Sequence, residues 1–178
     1  RRHHCTTCSV AGTASPLMAV TRNITATYRG PGRVVRRLLD AGPREDRALA
    51  YLMAGCVVVF IAQLPRLARE AHLTGQDLDM LMGATLMSWV FIAPLALYVL
   101  AGLSHLMARL VGGKGTGYGA RLALFWALLA SSPLMLLNGL VAGFIGPGLE
   151  LQIIGLVWLL VFGWFWIAGL LTAERKPA

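Results

Sequence analysis

Residues 119–145, GARLALFWALLASSPLMLLNGLVAGFI, form the stretch that decides the fold. As an α-helix it would extend about 40 Å, longer than the roughly 30 Å hydrocarbon core of a bilayer. It is too short to cross twice with a turn between. We therefore predict one tilted helix, kinked at Pro133, where the hydroxyls of Ser131 and Ser132 can satisfy carbonyls freed by the proline. We expect Pro94 to kink a second span.

Three further apolar stretches, residues 48–64, 84–108 and 151–173, are also candidates for crossing a membrane. Hydrophobic residues make up 57% of the 178 residues and charged residues only 13%, about half the usual charged share of a soluble domain, roughly 25%. These features predict an all-α integral membrane protein, a four-transmembrane-helix bundle. Five spans remain an alternative, because the third stretch is so long.

The net charge of +8 would suggest nucleic acid as a partner in a soluble protein, but the basic residues lie beside the apolar stretches. There they set topology and contact anionic lipid head groups. From Arg22 to the tail, the Lys and Arg counts before, between and after the four stretches are seven, two, three, none and two, with Arg121 at the start of the third stretch counted in the loop before it. The positive-inside rule therefore places both termini in the cytoplasm. The abundance of Arg, Ala, Leu and Gly suggests a bacterial source, hence the bacterial inner (plasma) membrane.

The N-terminal region divides in two. Residues 1–30 are predicted to be disordered or extended, and Met18 is a plausible true start. Residues 31–41 are predicted to form an amphipathic interfacial helix, since Pro31 suits a first helical position and Gly42 a left-handed stop. Its apolar face would lie in the acyl boundary or pack under the bundle, while Arg33, Arg36 and Arg37 contact lipid head groups. The transmembrane domain then covers 44–173 and a cytoplasmic tail 174–178.

Few residues indicate chemistry. His3, His4, Cys5 and Cys8 could bind zinc, but no second ligand pair follows, so we predict no metal and no cofactor. Cys56 is expected to be a small core residue. The glycine run GGKGTGYG (112–119) lacks the order of a phosphate loop and is predicted to be a flexible cytoplasmic turn.

Four residues of the third stretch are predicted to serve helix packing: Pro133, Asn138, Gly139 and Gly143. The two glycines form a G-x-x-x-G motif, which permits close helix contact but does not separate an internal contact from a dimer. Asn138 is expected to bond another helix or the backbone freed by Pro133. His105, near the end of its span, is expected to be solvated at the interface rather than to relay protons.

Three segments together carry a resemblance: VGGKGTGYGARLAL (111–124), LASSPLMLLNGL (129–140) and IIGLVWLLVFGWFWIAGL (153–170). With the basic helix before the first span, they resemble the bacterial branch of the Yip family of small polytopic membrane proteins, over about residues 25–173. Eukaryotic members bind prenylated Rab-type GTPases in vesicle trafficking and typically have five spans. The resemblance implies the architecture and brings no catalytic residue to this chain.

Three classes of function remain open. The first is a non-enzymatic scaffold, membrane organiser or accessory subunit of a larger membrane complex, with membrane lipids, other integral membrane proteins or a second copy as partners. The second is a transporter or channel component with a path near Pro94, Pro133 and Asn138. A membrane enzyme is the least favoured, because the sequence lacks paired carboxylates or a Cys/His/Ser constellation. No nucleic acid and no small-molecule substrate is expected.

Overall fold

The stretch 119–145 forms the central helix of the protein in the computed structural model, which describes residues 16–42, 44–110, 112 and 115–174. In chain order the described helices are α1 (Pro16–Arg29), α2 (Pro31–Asp40), α3 (Glu45–Thr74), α4 (Leu78–Leu110), α5 (Gly117–Phe144) and α6 (Leu149–Glu174). Four of them, α3 to α6, are long and apolar enough to cross a membrane. The predicted all-α fold with four spans is confirmed.

Helix α5 lies at the centre, with two other spans packed against it. Its first half is almost completely buried, including Ala123, Phe125, Trp126 and Ala130. Helix α3 packs along one side of it and α6 along another. We compared how much of the most apolar 18 residues of each span is buried. The buried share is 56% in α5 and 33% in α3, against 11% in α6 and 6% in α4. The bundle is therefore a packed α3–α5–α6 core with α4 at its edge.

The helix ends follow local chemistry. The hydroxyl of Thr116 accepts a hydrogen bond from the backbone N–H of Gly119 and so caps the N-terminus of α5. Gly75, with a left-handed φ of 69°, ends α3. Gly42, with φ of 90°, follows α2 as predicted from the sequence.

Two helices differ from the predicted boundaries of their spans. Helix α3 continues ten residues past Leu64 to Thr74. Its added turns carry Arg69, whose guanidinium donates to the carbonyls of Gly143 and Phe144 at the end of α5, at 3.3 Å each. Helix α4 starts at Leu78 and contains a π-helical segment, Ser88–Ile92, which ends two residues before Pro94. Because proline lacks an N–H, a local change of hydrogen-bond register is a usual way to accommodate it.

The prediction for residues 1–30 was wrong where the structure describes them, because Pro16–Arg29 is an α-helix. The described residues do not include 1–15, which contain the HHCxxC segment, or 175–178 of the tail. The side chain of Met18 also lies outside them. Helix α1 forms because its apolar side chains pack against the bundle. The composition of the segment does not reveal such tertiary contacts.

Both N-terminal helices, residues 115–116 and the end of α6 meet at one end of the bundle. Gly32 lies against Thr172, and the backbone N–H of Gly115 bonds the side chain of Glu174. We call this the terminal end, and the end with residues 75–77 and 145–148 the opposite end. Both described termini thus lie on the same side of the bundle, as an even number of spans requires.

Candidate interaction surfaces

Helix α1 is docked on α5 through a buried polar pair. The indole Nε1 of Trp126 donates to the hydroxyl oxygen of Thr27 at 3.1 Å, and that hydroxyl donates to the carbonyl of Asn23 at 2.7 Å. Both polar groups are therefore satisfied although both side chains are buried. The spacing of Val20, Ile24 and Thr27, which suits one helix face, is the sequence signal that could have found this helix.

Tyr28 extends the same contact deeper into the span. Its hydroxyl donates to the backbone carbonyl of Ala130 at 3.2 Å, and its ring packs edge-to-face on Phe165 of α6, with centroids 5.1 Å apart. Partial burial raises the pKa of the Tyr28 phenol above its ordinary value. Helix α1 is thus held by two neighbouring residues to two different spans.

Helix α2 uses its apolar face for packing on the bundle. Val34, Val35 and Leu38 are buried, and Val35 lies against Gly169 of α6. Of the two placements that the sequence left open, the structure shows the helix packed against the bundle rather than with this face in lipid. Arg33, Arg36 and Arg37 are exposed on its other side.

The glycine-rich segment is anchored to the end of α6. The backbone N–H of Gly115 donates to Oε2 of Glu174 at 2.8 Å. A Cβ at Gly115 or Gly119 would come within 3.0 Å of Ala173 or Glu174. Two glycines are therefore needed for the close approach of this segment to the end of α6. The prediction of a turn was wrong for residues 117–119, which form the start of α5, and the flexibility of the segment stays a prediction.

His105 belongs to this anchor. Its Nδ1 lies 3.5 Å from Oε1 of Glu174, and the two side chains are 21% and 9% exposed. The expectation of a well-solvated interfacial histidine does not fit this burial. On the other side of the segment, the Tyr118 hydroxyl donates to the carbonyl of Arg44, and Arg121 pairs with Glu45 at 2.6 Å.

The G-x-x-x-G motif faces α3. A Cβ at Gly139 would lie 1.7 Å from the carbonyl oxygen of Ala62, and one at Gly143 would lie 2.4 Å from the ring of Pro65. The motif therefore makes an internal contact. The side-chain amide of Asn138 lies against Gly155 of α6, and within the described residues its side chain has no hydrogen bond.

Pro133 does not belong to this packing group, because its ring is exposed on the outer surface of α5. Its effect on the backbone is local. The carbonyl of Leu129, which has no N–H partner at position 133, accepts a hydrogen bond of 2.7 Å from the Ser132 hydroxyl. Ser131 donates to the carbonyl of Leu128 at 3.1 Å. The prediction that serine hydroxyls satisfy the freed carbonyl is confirmed for Ser132.

The described residues contain no cluster of three or more His, Cys, Asp or Glu side chains that could hold a metal ion. Cys56 is buried in the core, as predicted. An open groove of about 640 Å³ runs between α4 and α6 and is lined mainly by apolar side chains, among them Leu103, Met107 and Leu170. The notable surfaces are therefore this apolar flank and the basic terminal end.

These features define an all-α, polytopic membrane protein with a helical N-terminal unit packed on its spans. The family model described as Yip1 domain matches residues 26–177. The chain belongs to the Yip1 domain family, so the resemblance to the Yip family is confirmed, while its bacterial branch stays a prediction. No curated protein and no solved structure gives a significant match.

Proposed function

We propose that this protein is a non-enzymatic scaffold, a membrane organiser or accessory subunit whose α4 flank binds another integral membrane protein. The proposal rests on the weak packing of α4. Only 6% of the most apolar 18 residues of this helix are buried within the chain. Most of a 33-residue helix is thus left for lipid or for a partner.

Exposed glycines favour a protein partner over lipid alone. A Cβ added at Gly83 or Gly102 of α4 would meet nothing within 4 Å, although each glycine in a helix costs about 1 kcal/mol relative to alanine in water. Small residues on the surface of a span allow another helix to approach closely. Gly139 and Gly143 allow a close contact with α3 of the same chain. Gly83 and Gly102 make no such contact within the described residues.

The distribution of charge supports a cytoplasmic terminal end, and the abundance of Arg, Ala, Leu and Gly supports a bacterial inner membrane as the location. Arg22, Arg29, Arg33, Arg36 and Arg37 lie at this end. The described basic residues of the opposite end are Arg66 and Arg69. The positive-inside rule then places the terminal end in the cytoplasm. A reporter that is active only outside the cytoplasm should be silent at Gly115 and after Ala178, and activity at either position would reverse the orientation.

The test of the scaffold proposal is site-specific photo-crosslinking in intact cells. A photoreactive residue at Val99, on the exposed surface of α4, should give one discrete adduct with a membrane protein. Gly102→Leu should abolish that adduct by adding bulk next to it. The matched control carries the same photoreactive residue at Leu136 of α5, which is also exposed, and should give only lipid-sized adducts. Equal adducts at both positions would contradict the proposal.

A transport role is the alternative to the scaffold function. Within the described residues, the grooves between α4 and α6, between α1 and α2, and beside Arg66 and Arg69 are not lined by Pro94, Pro133 or Asn138. Solute flux in proteoliposomes that Asn138→Leu abolishes, without loss of folded protein, would favour transport instead. We expect no flux above that of empty vesicles.

A further inference from the structure

We propose that the cleft between α1 and α2 binds a lipid head group that carries more than one phosphate. This arginine cleft has a volume of about 570 Å³ and is lined by Arg22 and Arg29 of α1, by Arg33 and Arg37 of α2, and by Thr25 and Gly30. The proposal does not depend on the scaffold function, since it concerns a different surface.

The corner between the two helices brings the guanidinium groups together. Arg33 and Arg37 lie one turn apart on α2, and Arg22 and Arg29 lie two turns apart on α1, so each pair shares a helix face. At the corner, the guanidinium of Arg33 lies so close to Gly30 that a Cβ there would be 2.9 Å from its Nε. Glycine at the corner therefore leaves room for the charge that joins the two faces.

The cleft has no anionic group of its own. Its lining contains four arginines and no carboxylate, and none of these arginines forms an ion pair within the described residues. Asp40 is the one acidic residue in 16–42, and it does not line the cleft. One phosphodiester, with a single negative charge, would leave most of this charge unbalanced. Guanidinium groups bind phosphate oxygens in a bidentate geometry, so a head group with two phosphates matches the site better.

The depth of the cleft indicates a lipid rather than a soluble anion. Gly32, at the start of α2, touches Thr172, which is two residues from the end of α6. Helix α6 has 26 residues and so extends about 39 Å, which leaves its last turn in the head-group layer beyond a core of roughly 30 Å. The cleft shares Gly30 and Arg33 with a neighbouring pocket that Thr172 also lines, which puts it near the depth expected for lipid phosphates.

The test uses the full chain in mild detergent and native mass spectrometry. The protein is titrated with tetraoleoyl cardiolipin, which has two phosphodiesters, or with dioleoyl phosphatidylglycerol, which has one, at equal phosphate concentration. We expect retention of one cardiolipin at concentrations at which phosphatidylglycerol is not retained. Arg29→Gln combined with Arg33→Gln should weaken cardiolipin binding about tenfold or more, because each basic residue near a membrane surface contributes measurably to anionic lipid binding.

The matched control is Arg44→Gln combined with Arg109→Gln, which removes the same charge at the same end of the bundle but outside the cleft. It should change cardiolipin binding less than twofold. Circular dichroism should show unchanged helix content in both variants, because all four side chains are exposed.

Three outcomes would overturn the proposal. Equal losses in the two double variants would show that only total charge matters. Equal retention of both lipids per phosphate would remove the preference for two phosphates. Displacement of cardiolipin by equimolar sodium pyrophosphate would show a site for soluble phosphate rather than for lipid.

Discussion

The indole Nε1 of Trp126 donates a 3.1 Å hydrogen bond to the hydroxyl of Thr27, joining a central span to a helix 99 residues earlier in the chain. The two side chains are 1% and 0% exposed. A buried donor without an acceptor is costly, so this pair fixes both the position and the rotation of α1 on the bundle.

We expect Thr27→Val to destabilise the docking of α1 by about 1–3 kcal/mol, because it leaves the indole N–H buried without an acceptor. Limited trypsin digestion at Arg22 and Arg29 should become faster. The control is Thr25→Val, since Thr25 is exposed and bonds only the carbonyl of Arg22. Similar digestion rates for the two variants would contradict the role of the Thr27–Trp126 pair.

The Tyr28 phenol gives the docking a dependence on pH. Because its pKa is raised in the folded protein, its contribution is complete below the ordinary pKa of 10.0 and is lost as the pH rises through the raised value. Trypsin digestion of α1 should therefore be constant from neutral pH to about 9 and should increase only at higher pH. In Tyr28→Phe, which lacks the hydroxyl, this increase should be smaller. An equal increase in both proteins would show that another group is responsible.

Gly139→Ala should destabilise the bundle strongly, since the added Cβ would overlap the carbonyl oxygen of Ala62. Overpacking of this kind costs about 1–3 kcal/mol or more, measurable as a lower midpoint of thermal unfolding in detergent. Gly102→Ala is the control, because the same atom there meets open space. If the two midpoints fall equally, the close contact between α3 and α5 is not as described.

Ser132 and Pro133 should be energetically coupled. Ser132→Ala removes the donor to the Leu129 carbonyl and should cost about 0.5–1.5 kcal/mol. In a Pro133→Ala background, residue 133 regains an N–H that can bond this carbonyl, so Ser132→Ala should cost less. A double-mutant cycle on unfolding free energies measures the difference, and an additive cycle would refute the coupling.

The anchor of the glycine-rich segment should depend on Glu174. Glu174→Ala removes the acceptor for the Gly115 N–H, and hydrogen exchange at this amide should accelerate about tenfold or more, as for loss of a hydrogen bond to a charged group. Glu150→Ala, at the opposite end of the bundle, should leave this exchange unchanged. Unchanged exchange in Glu174→Ala would mean that the segment is held by other contacts.

Several features could be predicted from the sequence because they depend on local patterns. Four apolar stretches of sufficient length give four spans, whatever their neighbours are. Pro31 and Gly42 mark the ends of α2, because their backbone preferences act without tertiary contacts. The relation between Ser132 and Pro133 was predictable for the same reason, since donor and acceptor lie within one turn.

Other features could not be predicted, because they depend on which helix faces which. The sequence shows that Gly139 and Gly143 permit a close contact, but only the packing of α3 selects Ala62 and Pro65 as the contact. The burial of His105 beside Glu174 likewise needs two spans and a loop to meet. Pro133, which we grouped with the packing residues from its position in the chain, lies on an exposed surface of α5.

The sequence by itself determined that this protein lies in a lipid bilayer. Its longest apolar stretches form helices that exceed the thickness of the bilayer core, and lipid is the environment in which such helices are stable. The sequence also favoured four spans over five and determined the basic character of one end. Only the tertiary structure decided that Pro16–Arg29 is a helix, because that helix is stabilised by burying Thr27 against Trp126 and by the hydrogen bond of Tyr28 to Ala130, about a hundred positions away. The arginine cleft, which is formed only when α1 and α2 are docked side by side, was decided at the same level.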